Sequence, residues 1–255
     1  MKEQTKRIVF ICCAVGLAVC VIIMGIIALI KIKDEKLQQS LLDTMNERDV
    51  ENDEEAEESQ EDVILSKFTQ LYKENSDLAG WISIADTEIN YPVMHTPEDA
   101  EYYLHKDFNG DYSIGGTIFA SWDSTFTPRS DNIILYGHNM GNGSMFADLL
   151  KYSSETYWEE HKTIQFDTLT KEQTYEIVYA FVVDVGVNNP HFEFYNYINA
   201  SNEEEFDEFI ENCKTYSYYD TENDPEYGDS LLTLVTCKGY DTTERMVVVA
   251  KSICG

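Results

Sequence analysis

The chain has 255 residues, enough for one good-sized domain plus attachments. Hydrophobic residues make up 43 %, an ordinary globular value, but 47 acidic residues against 18 Lys and Arg give a formal charge of -29. Such a charge excludes nucleic acid as a partner, because phosphates would be repelled.

Ile8 to Ile30 is an unbroken apolar run of 23 residues. At about 1.5 Å per residue it spans a bilayer core. It is longer than a signal-peptide core, and Ala28-Leu29-Ile30-Lys31 is a poor cleavage site, so an uncleaved anchor is expected. Lys2, Lys6 and Arg7 precede it; Lys31, Lys33 and Lys36 follow it. This near-tie leaves the free N-terminal amine to tip residues 1–7 toward the cytoplasm. Residues 31–62 read as a stalk: Lys31 to Leu42 is a helix or stalk, and Asp43 to Asp62, with eleven acids against one Arg, is a disordered acidic linker. The working domain is expected over 63–255.

In that domain Ile64, Leu65, Phe68, Leu71 and Tyr72 have helical spacing. Trp81–Ile84 and Ile89–Met94 read as strands. Thr96-Pro97-Glu98-Asp99 has the form of a helix start, which predicts a helix to about Leu104. Thr117–Ala120 and Asp131–Tyr136 are strands, and a short helix is expected over Ser144–Leu150. Thr163–Phe166 and Thr174–Val185 are strands. Asn202–Tyr216 is an amphipathic helix with Phe206, Phe209, Ile210 and Cys213 on one face. Many short strands with few helices predict a mainly β fold, a closed or nearly closed barrel with flanking helices.

Leu231–Cys237 and Arg245–Lys251 are two apolar, β-rich runs around a seven-residue polar loop, which predicts a hairpin. Closed symmetrically, it sets Cys237 against Arg245 with Cβ atoms about 5 Å apart. A guanidinium there stabilises a thiolate or a developing oxyanion. The bland alternative is a buried inert Cys and a solvated Arg. His138 ends the apolar strand Asn132–Tyr136 beside Gly137, and two strand ends of one sheet can converge on one cleft. An imidazole within reach of a thiol can supply the proton for a leaving amine. His95, His105, His161 and His191 lie in loop or helix-adjacent contexts and are not assigned to the site. No His, Cys or Asp pair has metal-ligand spacing, so neither metal nor cofactor is expected. Cys12, Cys13 and Cys20 fall in the apolar run. Cys213, Cys237 and Cys254 make no disulfide framework.

Thr233-Leu234-Val235-Thr236-Cys237, with Arg245 eight residues on, resembles the signature of sortases. Leu135-Tyr136-Gly137-His138-Asn139-Met140 resembles their histidine motif. Asn90-Tyr91-Pro92-Val93, Tyr102-Tyr103-Leu104, Gly116-Thr117-Ile118-Phe119 and the helix before the cysteine strand resemble class B sortases in particular, from about Val63 to the C-terminus. The resemblance implies an eight-stranded barrel and a transpeptidase outside the cell membrane. Such an enzyme cuts a Pro-x-Thr type sorting signal of a surface protein after Thr, forms a thioacyl-enzyme and transfers the product to an amine of a peptidoglycan precursor. It implies Cys237 as nucleophile, His138 as general acid/base, Arg245 as oxyanion or backbone clamp, and Thr236 and Val235 as substrate-binding. Class B members commonly carry Ser where this chain has Val235. By strand alternation Val235 faces the same side as Cys237, which puts the sorting motif in doubt. Lys238 is a second nearby cation, to be weighed against a solvated loop lysine. A hydrolase on the same fold and a non-catalytic anchored binding module are the alternatives. A papain-like protease is not, because His138 precedes Cys237.

Overall fold

The structure is a computed structural model that describes residues 2–49, 64–187, 192–240 and 242–253. It falls into two compact units, residues up to 43 and residues from 44 onward.

The N-terminal unit is a helix. α1 runs Lys2–Asp49 without a break, and its apolar stretch is long enough to cross a membrane. Ile8, Phe10, Leu17 and Leu29 stand well exposed, as they must if their partner is lipid. The helix carries on through Asp43–Asp49, where a disordered linker was expected; the remaining acidic residues, 50–62, lie outside the described residues. No Gly or Pro interrupts residues 43–49, so nothing in that run breaks the helix.

The second unit is a closed barrel of eight strands: β1 Leu78–Ser83, β2 Asn90–Met94, β3 Ile118–Ala120, β4 Asn132–Tyr136, β5 Thr163–Thr168, β6 Thr174–Asp184, β7 Leu231–Cys237 and β8 Glu244–Ser252. The order around the barrel is β1-β2-β3-β4-β7-β8-β6-β5, and β5 closes onto β1. Two neighbour pairs, β2–β3 and β4–β7, are parallel. Before β1 a 3-10 turn, Ser66–Phe68, leads into α2, Thr69–Glu74.

Side chains alternate across each strand. Ile133, Leu135, Leu232, Leu234, Val248 and Ala250 fill the barrel. Ile134, Leu231, Val235, Val247 and Val249 face outward into a second cluster. That cluster is covered by the segment between β6 and β7, which carries α4, Glu203–Tyr216. Asn202 caps α4 by accepting from the Glu205 amide at 3.1 Å, and Glu203, Glu204 and Glu205 suit the positive end of its dipole. Phe206, Phe209, Ile210 and Cys213 are its buried face. Each large apolar side chain there stabilises the lid by about 2 kcal/mol. The parallel β4–β7 pair is also bolted by a buried polar group. Asn132 accepts from the Thr233 hydroxyl at 2.9 Å and donates to the Tyr197 carbonyl of the covering segment at 2.9 Å.

Two expected helices differ. Thr96 closes a turn instead of capping a helix: its hydroxyl donates to the Asp99 carbonyl at 2.8 Å. Only Tyr102–His105 coils, as a 3-10 turn. Its amides reach back only three residues, Tyr102 to the Asp99 carbonyl at 3.1 Å and Leu104 to the Glu101 carbonyl at 3.0 Å, and its own carbonyls hold other segments. Tyr103 accepts from the Thr117 amide at 3.0 Å, Leu104 from His138 at 3.0 Å, and His105 from the Ser113 amide at 3.1 Å. The helix expected at Ser144–Leu150 begins later, as a 3-10 helix Ala147–Ser153 followed by α3, Glu155–Glu160. Its first turn is lost because Met145 sits at φ +59°, outside the right-handed helical region, where its amide donates to the Tyr91 hydroxyl at 3.0 Å.

Candidate active site

Cys237 ends β7 and Arg245 lies at the start of β8. The antiparallel register pairs them directly, as the hairpin predicted. On the other side of β7 the parallel register pairs Tyr136 with Val235. Carried on by two residues, it sets His138 level with Cys237. Three bonds hold that extension: the Gly137 amide to the Val235 carbonyl at 3.2 Å, the Thr236 hydroxyl to the Gly137 carbonyl at 2.8 Å, and the Asn139 side-chain amide to the Cys237 carbonyl at 3.1 Å. Cys237 therefore stands between an imidazole strand and a guanidinium strand.

Glycine is required at 137. A Cβ there would run into the buried Ile118 and Phe146 side chains. Gly116 is needed too, at φ +59°, because a side chain would collide with the Tyr103 and Leu104 carbonyls. That close approach seats the 3-10 turn under His138.

The His138 imidazole donates from Nε2 to the Leu104 carbonyl at 3.0 Å. Nδ1 is then the atom left to gain and lose a proton. Burial holds His138 below the ordinary imidazole value; the Leu104 bond works against this, and the neighbouring His105 works with it. Arg245 donates from Nη1 to the Thr242 and Glu244 carbonyls, both at 3.2 Å. Among the described residues no carboxylate pairs with it. Its field reaches Tyr136, whose hydroxyl is pushed up to about 12 chiefly by burial and also by Asp123, with Arg245 opposing. Lys238 is tied to Glu244 at 3.1 Å at the exposed rim, so it is the solvated lysine of the two readings.

The remaining expected positions divide clearly. Val235 shares the Cys237 face but is 2 % exposed, packed in the outer cluster. Thr236 points the other way, equally buried, with its hydroxyl committed to Gly137. Cys213 is fully buried under α4, and burial pushes its thiol well up, so it is inert at neutral pH. Cys237 is partly exposed. His191 and Cys254 lie outside the described residues. Sequence reading named Leu104 within a motif but gave it no role, since its contribution is a carbonyl and leaves no side-chain signal. It also assigned no role to Asn139, although Asn139 directly follows His138.

A partly exposed thiol, an imidazole and a guanidinium on three adjacent strand ends define a cysteine acyl-transfer enzyme built on a closed barrel. The family model for the sortase domain matches residues 82–253. The chain belongs to the sortase family. It is 30 % identical over 192 residues to sortase B of Staphylococcus aureus, covering 74 % of this chain and 76 % of that one. Sortase B of Listeria monocytogenes is 32 % identical over 197 residues, covering 74 % and 75 %. Among solved structures, the S. aureus sortase B–substrate complex superposes with a TM-score of 0.75 at 26 % identity, covering 87 % of this chain and 96 % of that one. Sortase B from Bacillus anthracis in complex with AAEK2 gives 0.75 at 28 % identity, covering 88 % and 97 %. The chain is thus a sortase-type cysteine transpeptidase, and its apolar N-terminal helix is suited to anchoring it in a membrane.

Proposed function

We propose that Cys237 is the nucleophile, His138 the proton donor and acceptor, and Arg245 the clamp in cleavage of surface-protein sorting signals of the Pro-x-Thr type. The Cys237 thiolate adds to the carbonyl carbon of the Thr residue, and the carbonyl electrons move onto oxygen. Arg245, uncommitted to any carboxylate among the described residues, turns its planar fork toward that oxyanion and the adjacent peptide carbonyls. The intermediate collapses, the C–N bond breaks, and His138 Nδ1 gives its proton to the departing amine. The thioacyl-enzyme is then attacked by a neutral amine of a peptidoglycan precursor. That amine loses its proton to His138, and Cys237 leaves as thiolate. Thr236 and Val235 support this site from beneath: one locks the ends of β4 and β7 together, and the other fills the floor between Tyr136 and the hairpin.

Residues 1–7 stay inside the cell, 8–30 span the membrane once, 31–62 form a stalk, and 63–255 work outside. The single observation that carries the site is the register, which sets Cys237 between His138 and Arg245. The test is a library of Pro-x-Thr peptides offered with a separate amine such as triglycine, with products read by mass. Cleavage after Thr with transfer to the amine is expected. Release to water alone would favour a hydrolase, and no Cys237-dependent product would end the proposal.

A further inference from the structure

His105 closes the 3-10 turn that supplies the Leu104 carbonyl to His138. Its ring stacks on the His138 ring, with centroids 5.3 Å apart and planes 24° apart. Tyr112 stacks in turn on His105 at 6.4 Å and 30°. Although His105 is exposed, its backbone is pinned on both sides. Its carbonyl accepts from Ser113 at 3.1 Å, Lys106 bridges to Tyr112, and Thr117 donates to the Lys106 carbonyl at 2.8 Å. The three rings therefore form a short stack with fixed spacing rather than a chance surface contact.

A single hydrogen bond fixes one direction of an imidazole, not its plane. The bond from Nε2 to Leu104 leaves the ring free to swing about that line, and the terminal torsion of a His is intrinsically broad. A stacked aromatic neighbour removes that freedom. We propose that His105 is a positioning residue for His138, its ring setting the plane in which Nδ1 meets the reacting atoms and its charge opposing a charge on His138. The proposal rests on the role of His138 given above. The titratable and charged groups around the pair are Tyr112 and Lys106 beside His105, Cys237 and Lys238 at the end of β7, and Arg245 at the start of β8.

The test compares the full-length chain in detergent micelles with His105→Ala and His105→Phe. The Phe variant keeps a stacking ring and removes the charge; the Ala variant removes both. An aromatic pair of this kind is worth about two- to tenfold in an equilibrium or rate. kcat/KM should therefore fall by about that factor in His105→Ala and recover in His105→Phe. His138 is observed directly by NMR of Cε1-labelled histidine, assigned by the signal lost in His138→Asn. It should titrate at higher pH in His105→Phe than in the parent chain. A Phe variant as slow as the Ala variant, or equal rates in all three proteins, would overturn the positioning role. An unmoved His138 titration in His105→Phe would overturn the charge coupling. The titration needs no turnover, so it reads the pair even if the sortase roles assigned above fail the peptide test.

Discussion

Gly137→Ala tests whether the strand end between β4 and His138 tolerates any displacement. The added Cβ would lie 2.8 and 2.9 Å from two ring carbons of Phe146 and against the tip of Ile118, both fully buried. Ordinary contact begins near 3.4 Å, so the Phe146 ring or the strand must move by about half an ångström and the flexible Ile118 tip by about twice that. Overpacking of this sort costs about 1–3 kcal/mol. At about 2–4 °C per kcal/mol for a domain of this size, Tm should fall by roughly 2–12 °C. Since about 1 Å of misplacement costs on the order of a hundredfold in rate, half of that should cost kcat about tenfold. Cys237 sits on a different strand and should still react with iodoacetamide at the parent rate. The assay therefore reads three quantities on one preparation: Tm, kcat on a sorting peptide, and alkylation. Adding Ile118→Val removes one of the two obstructions and should recover part of both losses. A lowered Tm with unchanged kcat would refute the reasoning, because His138 would then not depend on where Gly137 holds it.

Cys237→Ala should abolish cleavage with the fold intact and His138→Ala should be nearly as severe, whereas Cys213→Ala should keep its turnover at a modest cost in Tm; peptide cleavage and thermal unfolding together check all three. Arg245→Lys should lose on the order of a hundredfold in transfer rate, because a point charge replaces an oriented fork, while Cys237 alkylation stays fast; near-normal turnover would show that charge alone suffices. His95 is held below its ordinary value of 6.5 mainly by burial, and its Nε2 is buried without a partner. The unfolded chain therefore binds a proton there before the folded one does. The stability this group contributes is full above about pH 6.5 and is lost as pH falls through the folded value. Tm should drop between pH 7.5 and 5.5, and His95→Phe should narrow that drop. Protease added to intact protoplasts should degrade the domain beyond residue 62; a protected domain would reverse the proposed orientation.

The sequence determined what is local. The facing of Cys237 and Arg245 was legible because seven residues join two apolar runs, and a hairpin of that length has little choice of register. The amphipathic α4 and the 23-residue apolar run were legible for the same reason, since periodicity and length are properties of a continuous segment. The eight-stranded barrel and the proposed role of His138 rest on likeness of motifs, and spacing alone left them open. Tertiary structure decided what depends on distant partners. His138 stands level with Cys237 only through a parallel pairing of strands about a hundred residues apart, bolted by Thr236, Asn132 and the Asn139 side chain. The turn at Tyr102–His105 contributes carbonyl groups to the site, and carbonyls are common to every residue type. Thr96 carries the local signs of a helix start, yet its hydroxyl turns back to the Asp99 carbonyl and the chain makes only three-residue turns up to His105. A residue's own chemistry is written in the chain, but which distant group it meets is settled by strand register and by backbone groups that every residue shares.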